Sequence, residues 1–462
     1  MNSPPVDLTS DPATSHAETL FFEGNRLMAT GEANAAEACY RQALSLVPDF
    51  SEVLSNLALL RERVGALDEA EDCYRRAIAS NPDCVQNYLN FGVMLGNGKR
   101  FSEAEAVYQK ALYLAPDSAP AWSNLGVLLA SQKREAEAEN CYRTALALDA
   151  DYAKARFNFA YILLRQGRFA EGWECLEARD WYQVIARYFT CPRWQGEALA
   201  GKSLIIGFEA GHGDMIQFCR YAALLKEQGA ARIAVVCHPA LKTLFATLDG
   251  VDAVFSLHDE VPKSAWDFWS PPLSLPYFCR TRIDSIPART PYLAAEPAKV
   301  ATWRAQLPAS GLRVGLAWKG NPRFENDEDR SLPSLDVLAP LAAIAGVNFV
   351  SLQKGPGEEE AHRPHGGLSV LALGERIEDF SDTAAIIANL DLVISVDTAI
   401  AHLAGALDKQ CWVLLPDYQT DWRWLSTRSD SPWYPGMRLF RQPAGGGWET
   451  VVTAVTEALR SF

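Results

Sequence analysis

The sequence predicts an all-helical repeat array followed by two parallel α/β halves, and three observations carry that expectation. A 34-residue period runs through the first third of the chain. Beyond it, short apolar runs such as Leu392–Val396 alternate with helical stretches, the pattern of strands buried in parallel sheets. Two polar turns, residues 209–214 and 397–402, each follow such a run. They fall at carboxyl strand ends, where open α/β sheets take their ligands.

At 462 residues the chain has room for about three domains, and 48% hydrophobic content is ample for packed cores. A net charge of −14 and a pI near 5.1 argue against a nucleic-acid-binding surface or an anionic membrane partner. The opening MNSPPVDLTSDPATSH has no charged-then-apolar leader, and residues 1–16 are expected to be a flexible tail. No apolar run reaches about 18 residues, so no membrane span is expected. Ten cysteines contain no CxxC pair, which disfavours a zinc site. Cys39, Cys73, Cys141 and Cys175 share one phase of the repeat, with Val107 in the gap. A position that accepts Cys or Val is a small core site, so reduced thiols in a cytoplasmic protein are expected.

The repeat is read column by column. Tyr40, Tyr74, Tyr108 and Tyr142 recur, as do Ala43, Ala77, Ala111 and Ala145. Pro48, Pro82 and Pro116 mark where each second helix has ended, and Gly24, Gly92 and Gly126 mark a close helix approach. The pattern resembles the tetratricopeptide repeat. Four repeats begin near Ala17, Ser51, Val85 and Ala119, and a capping fifth from Ala153 drifts at Gly172 and Trp173, giving an array over 17–175. One further column holds Asn56, Asn90, Asn124 and Asn158, with Phe22 in the first repeat. Such a ladder can pair with the backbone of an extended peptide whatever its sequence, as in the peptide-binding arrays of protein O-GlcNAc transferases; Asn is also common there in these repeats generally.

Residues 176–200 read as an aromatic connector. The first α/β half, 201–300, has strands at 203–208, in ARIAVVCHP and in VDAVFSL, with a helix from about Asp214 to Gln228. The segment WDFWSPPLSLPYF is broken by proline and reads as a cleft neighbour. Residues 287–307 read as a crossing linker. The second half, 311–445, has strands at 313–318 and in VNFVSLQ, DLVISV and CWVLLP, and 446–462 reads as a C-terminal helix.

Two such halves invite a dinucleotide-binding reading, which the spacing rejects. After Gly211 and Gly213 a fingerprint needs a small residue where Ile216 stands, and the second strand ends without a ribose-binding acid. There is no P-loop. Asp214 tops the first strand, where a carboxylate can take a proton from a hydroxyl; the simpler alternative is an acid that complements the helix dipole. Thr398 is a natural N-cap, and His402 lies one turn on, so this helix start favours an anion such as a phosphate; an ordinary strand–helix turn with a packed His is the alternative.

Together, EAGHGD at 209–214 and SVDTAIAHL at 395–403 resemble glycosyltransferase family 9, the heptosyltransferase-like GT-B enzymes. The chain is similar to bacterial proteins that join tetratricopeptide repeats to such a domain, through DRSLP, SLQKG, DWRW and SPWYPGMRLFRQ as well. The resemblance implies two Rossmann-like domains with the active site between them, and an inverting transfer without a metal. It implies Asp214 as base, and Asp397, Thr398 and His402 as binders of the donor's phosphates and sugar. Ala399 stands where heptosyltransferases have Gly, which puts the donor's identity in doubt. Their diphosphate-steadying Lys has no clean match; Arg330 occupies that stretch, with Lys319 nearby.

Asp327-Glu328-Asp329 matches a metal-binding DxD string of another fold, but here reads as a solvated acidic loop, so no metal is expected. Trp422, Trp424, Trp433 and Tyr434 suit either stacking on a base or sugar or packing between domains. Gln217 follows Asp214 along its helix and is expected to line the cleft on the acceptor side. The expectation is a glycosyltransferase that uses a nucleotide-sugar, needs no cofactor, and modifies a protein or peptide presented by the array, flagellin modification being one instance. Two alternatives stand beside it: an interaction scaffold with an inactive transferase domain, and a transferase acting on a glycan or lipid-linked acceptor.

Overall fold

The computed structural model describes residues 12–262, 266–324, 326–363 and 365–462. The chain divides into two compact units, residues 1–158 and 159–462.

The first unit is built of helical hairpins: Pro12–Thr30 with Ala33–Leu46, Ser51–Arg63 with Leu67–Ser80, Val85–Asn97 with Phe101–Leu114, and Ala119–Ser131 with Glu135–Leu148. The recurring columns have a direct cause. A Cβ on Gly24 would meet Tyr40 Cε1 at 2.5 Å, on Gly92 Tyr108 Cε1 at 2.4 Å, and on Gly126 Tyr142 Cε1 at 2.8 Å. Each glycine is thus the slot into which the tyrosine of the partner helix packs, and all four tyrosines are buried. The first helix begins at Pro12, five residues earlier than expected, so residues 12–16 are helical rather than tail; proline in the first turn loses no hydrogen bond there. The rest of the expected tail, residues 1–11, lies outside the described residues.

The second unit carries two all-parallel sheets. In the first, β1 (Ser203–Ile206), β2 (Arg232–Cys237), β3 (Ala253–Ser256) and β4 (Phe268–Ser270) lie in the order β3-β2-β1-β4. In the second, β5 (Leu312–Ala317), β6 (Val347–Ser351), β7 (Val370–Leu371), β8 (Leu392–Val396), β9 (Cys411–Leu415) and β10 (Met437–Arg441) run β10-β9-β8-β5-β6-β7. β8 and β9 are buried at every residue, as central parallel strands are. The second sheet's core gathers Val314, Leu316, Leu335, Leu392, Ile394 and Val455.

Several elements differ from expectation. The proline-broken segment opens with β4, which pairs with β1. The helix expected over 214–228 is two, His212–Phe218 and Tyr221–Glu227. The crossing linker contains the helix Pro297–Arg304, anchored to Asp382 by Lys299 Nζ at 2.8 Å and Trp303 Nε1 at 3.2 Å. The aromatic stretch 176–200 is no loose connector. Trp194 N–H donates to Trp269 O (2.8 Å) and Trp269 N–H to Pro192 O (3.0 Å), which covers the free edge of β4. The helix Phe169–Leu176, expected to close the array, packs in this unit: Trp173 meets Trp422 edge-on at 5.3 Å and donates to Thr281 O at 3.0 Å. The division at 158 falls inside the helix Ala153–Arg165, and the helix expected to end the array at 175 buries its aromatic face among α/β-domain side chains.

Candidate functional site

The site forms where the turn after β1 meets the turn after β8. Ala210 has φ +58°, a left-handed conformation that bends the chain sharply out of β1, and Gly211 caps the short helix His212–Phe218. Asp214 Oδ2 accepts from Gly211 N–H at 2.8 Å, so one carboxylate oxygen closes the helix start. Beneath the turn lies a buried ion pair: Glu209 Oε1 accepts from Arg179 Nε at 2.6 Å and from Trp181 Nε1 at 2.7 Å. Ser274 Oγ accepts from Arg179 Nη2 at 2.7 Å in the same network.

After β8, Thr398 caps the helix Ala399–Ala406 and accepts from Ile400 N–H at 3.3 Å. The two helices nearly touch. A Cβ on Gly213 would lie 2.9 Å from His402 Cδ2 and 3.5 Å from Ala399 Cα. Thus Asp214, Thr398, Ala399 and His402, nearly two hundred positions apart in sequence, come to one place. His402 is buried, stacked on Trp424 at 5.4 Å, with Nδ1 at 3.0 Å from Tyr434 Oη. Burial, reinforced by Arg423, Arg220 and Arg330, holds its pKa well below that of a free imidazole, so the ring is neutral at pH 7. Asp397 is half-buried, and burial with the neighbouring Asp421 pushes its carboxyl up to about 6, against the pull of the Trp424 indole, Arg330 and Arg423.

Arg423 is the hub that the sequence did not reveal. Its Nη2 binds Asp214 Oδ1, its Nη1 binds both oxygens of Asp421 (3.0 and 2.9 Å), and its Nε donates to Gln217 Oε1 at 2.5 Å. It joins the first half to the second and lies over the rings of Trp422 (4.5 Å) and Phe218 (5.6 Å). The one available signal was an arginine between two tryptophans in DWRW. Arg220 makes a second buried link, donating to Trp433 O at 2.8 Å and to Tyr292 Oη at 3.1 Å.

The remaining expected residues divide. Arg330 faces the site closely enough to act on both Asp397 and His402, and its Nε donates to Asp327 Oδ1 at 3.0 Å. Lys319 is tied instead to the buried Glu360, at 2.7 Å. Gln217 does not face solvent; it is 0% exposed and holds Arg423 from behind. Trp422, Trp424, Trp433 and Tyr434 are buried in packing. Of the acidic string, Asp327 pairs with Arg330, and among the described residues no group of three or more His, Cys, Asp or Glu is gathered as a metal would need. In the first unit, Asn56, Asn90, Asn124 and Asn158 are all half-buried. Asn56 Nδ2 donates to Asn25 Oδ1 at 2.7 Å and Asn90 Nδ2 to Ser55 Oγ at 3.3 Å, while Phe22 is 67% exposed.

Tetratricopeptide-repeat models match residues 23–83, 85–118, 119–152 and 136–187. The model of glycosyltransferase family 9 (heptosyltransferase) matches residues 347–414, the stretch from β6 to β9 that includes Asp397, Thr398, Ala399 and His402. The chain thus matches tetratricopeptide-repeat models in its N-terminal part and is similar to glycosyltransferase family 9 over residues 347–414. It is similar to protein FlbA of Caulobacter vibrioides, 31% identical over 291 residues that cover 58% of this chain and 48% of FlbA. The chain spans about half the length of that curated relative. Among solved structures, PilF of Pseudomonas aeruginosa matches at 20% identity over 36% of this chain and 78% of that one, with a TM-score of 0.34. A thermophilic repeat protein of Thermus thermophilus matches at 23% identity over 37% and 95%, with a TM-score of 0.33. Among the described residues no helix is long and apolar enough to cross a membrane.

Proposed function

We propose that the chain is a glycosyltransferase that moves a sugar from a nucleotide-sugar to a hydroxyl of a polypeptide acceptor, inverting the anomeric carbon without a metal. The observation that carries the reading is the meeting of Asp214 with the capped helix at Thr398, brought together by Gly213 packing on His402 and Ala399. The acceptor hydroxyl gives its proton to Asp214 as its oxygen bonds the anomeric carbon. The bond from that carbon to the diphosphate breaks, and its electron pair leaves with the nucleoside diphosphate. Backbone N–H groups at the start of Ala399–Ala406, together with Arg330, offset the leaving group's charge. Neutral His402 offers a hydrogen bond to the donor without adding charge. The Asn column of the repeats supports a polypeptide acceptor, and flagellin is one to test. Ten free thiols fit a cytoplasmic protein.

The test is a nucleotide-sugar binding and hydrolysis screen of wild type against Asp214→Ala. Binding is expected to be retained and turnover to fall by about 100-fold, the scale of losing a general base. Undiminished turnover would remove Asp214 from the mechanism, and absence of binding to every nucleotide-sugar would favour an interaction scaffold.

A further inference from the structure

Both carboxylate oxygens of the proposed base are engaged. Asp214 Oδ2 takes the Gly211 amide, which closes the helix start, and Oδ1 takes the Arg423 guanidinium. With an amide on one oxygen and a guanidinium on the other, the carboxylate's charge is already compensated before any acceptor arrives. The amide contact is part of the helix cap, so the guanidinium on Oδ1 is the contact that can exchange. We propose that Arg423 is an exchange cation: it covers Asp214 in the unloaded site and transfers to the diphosphate of an arriving nucleotide-sugar, so that the base is uncovered only when the donor is in place. The inference rests on the reading of Asp214 as base and of this site as a nucleotide-sugar site.

Three observations support it. The guanidinium is anchored on its far side: Asp421 holds Nη1 through both oxygens and Gln217 holds Nε, so Nη2 is the nitrogen that can change its acceptor without the side chain moving away. Its destination is close: Arg423 acts electrostatically on both Asp397 and His402, which flank the helix start where the phosphates would lie. The hydrogen-bond inventory around it is incomplete in one sense only. Gln217 Nε2, on a side chain 0% exposed, has no hydrogen-bond partner among the described residues. Buried donors without acceptors call for an oxygen-rich partner, and a diphosphate supplies one. The planar guanidinium, which serves carboxylate and phosphate oxygens alike, suits the exchange where a lysine would not.

Competition between Asp214 and the diphosphate for one cation sets the test. Full-length wild type, Asp214→Asn, Arg423→Gln and the double variant are titrated calorimetrically with UDP, GDP, dTDP and ADP. With the rival carboxylate neutralised, Asp214→Asn is expected to bind its preferred nucleoside diphosphate about tenfold more tightly than wild type, and Arg423→Gln about tenfold more weakly, the scale of one charge-assisted hydrogen bond. The double variant is expected to match Arg423→Gln. A gain from Asp214→Asn that persists without Arg423 means simple charge repulsion and overturns the exchange. So does unchanged affinity in Asp214→Asn, a near-isosteric variant that keeps the fold; both outcomes leave the nucleotide-sugar site standing. Failure of all four nucleotides to bind both wild type and Asp214→Asn overturns the site and the exchange together.

Discussion

Gly213→Ala tests the geometry of the site through a single methyl group. The new Cβ would sit 2.9 Å from His402 Cδ2, where ordinary contact begins at 3.4 Å, so the two helices must part by about 0.5 Å. His402 cannot yield easily, because it is stacked on Trp424 and bonded to Tyr434. Overpacking of this kind costs about 1–3 kcal/mol. Against it stands a gain of about 1 kcal/mol from replacing glycine inside a helix. The net expectation is a loss of roughly 0–2 kcal/mol in stability. The effect on turnover is larger, because reacting groups displaced by about 1 Å lose on the order of 100-fold in rate. Thermal unfolding and nucleotide-sugar turnover measure the two effects. Gly96→Ala is the control: its Cβ would meet Leu128 Cδ1 at an ordinary 3.6 Å, and it is expected to be neutral or slightly stabilising. A Gly213→Ala protein with wild-type stability and wild-type turnover would refute the proposed convergence.

Gly92→Ala drives a methyl to within 2.4 Å of Tyr108 Cε1 in the repeat core and is expected to cost about 1–3 kcal/mol, read as an earlier helical melt by circular dichroism. Asp397, raised to about 6 in the fold against about 3.9 in the unfolded chain, carries an extra proton between those values, so its contribution to stability is lost as pH rises through that window. His212, which burial lowers to about 4, acts in the opposite direction, so the comparison to make is with Asp397→Asn. That variant's unfolding temperature is expected to gain on wild type from about pH 4 to above pH 6 while donor binding weakens. Replacing Asn90 and Asn124 by alanine is expected to raise the KM for a polypeptide acceptor at unchanged donor KM; equal effects on both would argue against the ladder as the acceptor's seat.

The repeat was legible because its period samples one environment several times, and the slot for the recurring tyrosine takes a glycine in three repeats and Ala58 in the other. The central strands were legible because burial on both faces leaves long apolar runs. β7, of two residues, and β10, whose Arg438 and Arg441 interrupt the apolar pattern, gave no comparable signal. The two turns announced themselves through their glycines and cap residues. Arg423 did not, since its partner Asp214 lies 209 positions away and nothing local distinguishes an arginine that anchors a cleft from one that faces water. Lys319 and Gln217 were placed in the cleft on the strength of neighbouring positions, but Glu360 and Arg423 claim their side chains.

The helix Phe169–Leu176 has a practical bearing on how such a protein can be divided. Its repeat pattern marks it as the end of one module, yet Trp173 is a floor for Trp422 and Trp433, and Phe169 lies 5.9 Å from Trp433. Cutting the chain at residue 175 would strip Trp422 and Trp433, which lie against Arg423 and Arg220, of their cover and leave a sticky, poorly folding fragment. A cut in the turn at residues 149–152, before the helix Ala153–Arg165, keeps that helix and the seam with the α/β unit.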